Sequence, residues 1–253
     1  EQIKMGGGLP IFAIVTLLIA GAAEAATEGN AAVSIGDIVN PLATLVAAFG
    51  GSWAAFKFQQ FQKTKEDTES KIAAGNRALM TLLQQANTLK LFQSDFIEPY
   101  RNSPGRHIQI QPSLPFQEDS LVFNVRSLEF LFTPEYQQVL MDLILEENRY
   151  REAIKSINTR SRHHFEVVQP KLALAGVKEG GEYTGEQFKA ALGDHDYVHL
   201  KRLTDAIVIH VDRTVDSLVT MKGRLRAALL KQFPKGRFVD FELMKDAPKS
   251  IFS

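Results

Sequence analysis

From Met5 to Phe56 the chain carries no lysine or arginine, and the silence ends abruptly at Lys57, Lys63 and Lys65. Only Glu24, Glu28 and Asp37 are charged in those 52 residues, in a chain that is 23% charged overall. Hydrocarbon excludes ammonium and guanidinium groups, and basic flanks stay on the cytoplasmic side of a membrane. The gap therefore reads as a membrane head over residues 1–56, with Lys57 marking the start of a cytoplasmic part over residues 57–253.

Two apolar segments make up that head. Residues 6–23 follow Lys4 and read equally well in two ways. They are a short first span, or the apolar core of a secretory signal ending at the small-x-small motif Ala23-Glu24-Ala25. Residues 38–56 read as a span in either case. Asp37 is placed to cap its start, Pro41 sits in its first turn, and Trp53 lies where an indole suits the headgroup region. Both readings put the bulk of the chain in the cytoplasm, below an inner membrane of bacterial type.

Ala43, Ala47, Gly51 and Ala55 recur every four residues in the second segment and share one helix face. In lipid, helix association depends on close backbone approach, so a small-residue face marks a helix contact. That contact is with the first segment, with another membrane protein, or with a second copy of the chain. Gly50-Gly51 also admits a pore-lining role.

Beyond the head, 28 of the 29 basic and 25 of the 29 acidic residues leave a net charge of +3 over 197 residues. That is too mild to indicate nucleic acid as a partner. The absence of cysteine removes disulfides, thiolate metal sites and cysteine nucleophiles. Long 3.6-period patterns predict three helices, over residues 53–96, 134–170 and 194–233, roughly 55–65 Å each at 1.5 Å per residue. Thr133, with Pro134 after it, is the expected cap of the second. Thr184 is the expected cap of a short helix ending near Gly193. Residues 107–111, 120–125 and 237–243 alternate like short strands.

The expected fold is all-α. It comprises an N-terminal transmembrane hairpin, or a signal peptide plus one span, and a cytoplasmic antiparallel bundle of three long helices. A small β element lies at the membrane-distal end. In an up-down-up arrangement Arg160 and Arg162 return to the bilayer, joining Trp53, Lys57, Lys63 and Lys65 as membrane-interface residues. The basic tract over residues 222–237 then lies at the far tip.

His195 and His199, one turn apart, are the candidate metal ligands, but the glutamate of an H-E-x-x-H pattern is missing. No phosphate-binding glycine loop, nucleophile elbow or kinase set is present. The expectation is a protein without cofactor or metal, not an enzyme: a membrane-anchored scaffold, sensor stalk or assembly protein. The alternative is a pore-forming or membrane-perturbing effector gated by the bundle.

Overall fold

The computed structural model describes the backbone of residues 35–117, 121–178 and 181–241, with side chains from residue 43. It divides into two compact units, Glu1–Glu66 and Asp67–Ser253. The described residues are helical and contain no strand. The first apolar segment, residues 6–23, lies outside them.

Helix α1 spans Ile35–Phe92 and contributes to both units. No proline occurs between Pro41 and Pro99, so nothing interrupts its hydrogen-bond ladder over that stretch. It widens into a π turn at Gln93–Ile97 and stops in a 3-10 turn at Glu98–Tyr100 that contains Pro99. A short helix α2 follows at Arg106–Gln109, and a 3-10 segment at Val125–Leu131. Helix α3 covers Gln137–His163, passes through a π turn at His164–Val168, and continues as α4, Gln169–Leu174. Pro170 sits at the start of that last piece, directly after the π turn.

Thr184 caps α5, Gly185–Leu192, in a full capping box with Gln187. Gly193, at φ 81°, ends α5 and starts α6, Asp194–Gln232. That left-handed backbone is open to glycine and strained for other residues.

In Asp67–Ser253, α1, α3 and α6 share one core. Leu79, Leu82 and Leu89 from α1 meet Leu143, Ile154 and Ile157 from α3 and Val211, Leu218, Leu225 and Leu229 from α6. Cross-helix pairs give the directions. Helices α3 and α6 are antiparallel: Glu135 pairs with Lys231, Asp142 with Arg224, Glu146 with Ser217, and Ser156 with His210. Helices α1 and α6 are antiparallel too, with Gly75 against Leu229 at one end and Gln93 bonded to Asp212 near the other.

It follows that α1 and α3 run parallel. The expected up-down-up antiparallel order is therefore corrected. The connection from α1 to α3 is a crossover that runs back along the bundle. Its register is visible in Ser113 on Ser161, Phe116 on Asn158, Phe123 on Glu147 and Phe130 on Gln232.

The crossover also corrects the expected β element. Residues 106–109 are helix α2, and residues 121–124 form neither helix nor strand. Residues 237–241 likewise form neither helix nor strand and are held by Asn76, whose amide donates to Arg237 O and accepts from Val239 N. Side chains take the place of a ladder at these points. Thr133 does not cap α3 through its side chain. Its carbonyl accepts from Tyr136 and Gln137 instead, in the turn that precedes the helix.

Among the described residues, no helix is long and apolar enough to cross a membrane. The expected span over residues 38–56 is thus not shown as one. Thr44, Gly50, Gly51 and Ser52 dilute its apolar content, and such residues gain little from hydrocarbon.

Candidate functional site

Two regions stand apart from ordinary core and solvated surface. The first is the α1 segment over residues 43–61, where every side chain is exposed. At 100° per residue, Leu45, Val46, Phe49, Trp53 and Phe56 fall within a stripe about 100° wide. All five are more than half exposed, Trp53 to 61%. Ala43, Ala47, Gly51 and Ala55 occupy the opposite face, and a Cβ built on Gly50 or Gly51 would meet nothing within 4 Å. The segment therefore separates bulky apolar from small side chains.

Lys57 Nζ lies 6.0 Å from the Trp53 ring, so a cation borders the stripe at its C-terminal end. Lys63 and Lys65 are exposed two turns further on.

The other region is the end of the bundle where α1 finishes, α3 ends and α6 begins. Five of the six histidines gather there from three elements. His107 comes from α2, His163 and His164 from the α3 end, and His195 and His199 from α6. The His163 ring meets His199 edge-on with centroids 4.8 Å apart, and His195 stacks on His199 at 6.1 Å. His107 meets Tyr197 edge-on at 4.9 Å.

Arg160 is the keystone of this end. It is 1% exposed, and its guanidinium donates to the carbonyls of His107, Ile110 and Gln111. Among the described residues no carboxylate pairs with it, and burial lowers its pKa to about 10. His164 is 3% exposed, and neither ring nitrogen has a hydrogen-bond partner among the described residues. Burial first, and the Arg160 charge after it, push its pKa down to about 4. The Ile108 backbone acts in the opposite direction without supplying a well-formed hydrogen bond. Burial likewise lowers His107 and His163, aided by Lys201 and His199 respectively.

The nearby acids are already engaged. Asp196 accepts from Lys171 at 2.5 Å and pairs with His195 at 2.9 Å, and the Lys171 bond holds it down to about 2. Asp205 pairs with Arg106, and Asp212 accepts two bonds from Arg101 and one from Gln93.

This geometry overturns the expected membrane contact of Arg160. The parallel course of α3 carries its C-terminus to the end opposite Gly75, and Arg160 is sealed inside rather than presented to headgroups. Arg162 stays exposed at that same end. The tract over residues 222–237 lies at the Gly75 end, where Lys222 and Arg226 pair with Asp240. Among the described residues, no group of three or more histidine, cysteine, aspartate or glutamate side chains is arranged to hold a metal ion. His195 points outward, 91% exposed, against Asp196.

His107 and His164 escape a reading of spacing alone. His107 lies in a segment that alternates like a strand, and His164 adjoins Arg160 and Arg162 in what reads as a basic surface cluster. Comparison with protein-family models, with curated proteins and with solved structures finds no match to this chain.

Proposed function

We propose that this chain is a membrane-anchored helical scaffold that works through protein contacts rather than chemistry. The observation that carries the reading is the unpartnered bulky stripe of Leu45, Val46, Phe49, Trp53 and Phe56. Burying such side chains is worth roughly 1.5–3 kcal/mol each. These five are about half to two-thirds exposed, so covering them gains about half of that each, roughly 4–8 kcal/mol together, which reaches the lower part of a domain's net stability of about 5–15 kcal/mol. Lipid is the covering that best fits the pattern, since Trp53 lies near the C-terminal end of the stripe and three lysines follow it, in the order of a membrane interface.

The opposite small-residue face fits another helix. Thr44, Gly50, Gly51 and Ser52 are poor lipid ligands but good contact residues between helices. In this reading the segment is embedded only with a neighbouring helix alongside, from another membrane protein or a further copy of the chain. The bundle is then the part that meets other proteins.

Flotation of the 253-residue chain with lipid vesicles tests the proposal. The expected result is co-flotation that survives a high-salt wash and is abolished in the Phe49→Glu/Trp53→Glu variant. A wild-type chain that stays at the bottom of the gradient, or that salt releases, overturns it.

A further inference from the structure

We propose that the histidine-bearing end of the bundle is an acid-opened latch, in which protonation of His164, together with His107 and His163, releases α2 and the α3–α4 turn from α6. The inference concerns the bundle alone and stands whether or not residues 43–61 meet lipid.

Three features of the geometry support it. The first is that the site has no place for added positive charge. His164 faces Arg160 and His163, with only the Ile108 backbone in its favour. His107 faces Lys201, Arg106 and Arg160, against a single acid, Asp205. His163 faces His199, Arg160 and His195, against Asp196 alone. Both acids are already committed, Asp205 to Arg106 and Asp196 to Lys171 and His195. A proton arriving on a buried ring therefore meets fixed cations without a free counter-charge, and unpaired buried charge is among the costliest states a fold can hold.

The next feature is that, beside the Arg106–Asp205 and Lys171–Asp196 ion pairs to α6, the latch has only a small apolar core. The packing there is a separate small cluster of Val168, Leu192 and Leu200, with Ile108, Leu172 and Tyr197 around it. The start of the crossover is tied to α3 chiefly by the Arg160 bonds to three carbonyls and by Ser113 on Ser161. Such a unit opens locally at lower cost than the main core.

The last is that the main core is left out. The sixth histidine, His210, lies three turns along α6 on the exposed side, bonded to Ser156, and serves as an internal control.

The size of the effect follows from linkage. A ring held near 4 when closed and released to 6.5 when open raises the open population by about 30-fold between pH 7.5 and pH 5. His107 and His163 add to that in the same direction.

The test is hydrogen exchange on the 253-residue chain at pH 7.5 and pH 5, corrected for intrinsic rates. Residues 105–113 and 160–175 should gain at least tenfold more exchange at pH 5 than residues 74–90, and His210→Asn should behave as wild type. In His164→Phe the excess should fall by about 30-fold or vanish. Equal change in both regions, or an undiminished excess in His164→Phe, overturns the proposal. Should the phenylalanine variant not fold, a proton NMR titration of the wild type decides. The His164 ring must stay neutral at pH 5.5, and a His164 midpoint near 6.5 overturns the latch.

Discussion

Along α1, residues 43–61 expose Leu45, Phe49, Trp53 and Phe56, whereas residues 74–92 bury Ala74, Leu79, Leu82, Leu89 and Phe92. Both stretches are helical, and both put large apolar side chains at spacings of three and four. What separates them is the partner. Residues 74–92 meet α3 and α6 and the returning crossover. Residues 43–61 meet nothing among the described residues that covers them. Periodicity shows which face of a helix needs covering, and it does not show what covers it.

The comparison can be broken most directly by matched truncations. Leu82→Ala should cost about 2–5 kcal/mol, since a buried leucine leaves both lost transfer energy and a cavity. Phe49→Ala should leave bundle stability within about 0.5 kcal/mol and weaken only vesicle binding. Denaturant melts of the two variants check the pair. A loss above about 1 kcal/mol for Phe49→Ala would mean that residues 43–61 are packed after all.

Acid should distinguish the histidine end from both halves of α1. His164 is depressed to about 4 from an ordinary 6.5, so the unfolded chain takes up a proton in that window and the folded chain does not. Stability therefore falls as pH drops from 6.5 towards 4 and levels off below, by about 3 kcal/mol from this group once both values are passed. Denaturation midpoints from pH 8 to pH 4 read that slope, which His164→Phe should flatten.

Arg160→Met keeps most of the side-chain stem and removes the bonds to three carbonyls. Those carbonyls lose their buried donor, while a desolvated charge is relieved, and the net cost should be about 2 kcal/mol. Limited proteolysis should then cut within residues 105–116 faster than in wild type.

The smallest contrast is between two glycines of one helix. A Cβ at Gly75 would sit 2.8 Å and 2.9 Å from the methyls of buried Leu229, so Gly75→Ala overpacks the core. That cost exceeds the gain in helix propensity by about 1 kcal/mol. Gly51 has open space around it, so Gly51→Ala should raise local helicity without touching the bundle melt. Under the scaffold proposal, Gly51→Leu should lower self-association in detergent, whereas a pore would lose conductance.

Much of the helix layout is legible in the chain itself. The stripe of α6 from Leu200 to Leu229, the Thr184 cap and the stop before Pro234 all follow from periodicity and capping chemistry. The expected β element fails because alternation over residues 107–111 is too short to exclude a helical turn, and Arg160 clasps the carbonyl of His107 in α2 and those of Ile110 and Gln111 just after it. The site at the bundle end is illegible for a different reason. Its histidines come from residues 107, 163–164 and 195–199, and no local pattern links them.

From sequence alone came the all-α character, the long helices with their apolar faces, and the charge-poor head, because these depend on neighbours within a few residues. Tertiary structure alone decided that α3 runs parallel to α1, since the same helix faces pack with either polarity and a long connection can turn back or run the length of the bundle. With that reversal, Arg160 passed from an expected headgroup ligand to a buried clasp, and His164 from surface to interior.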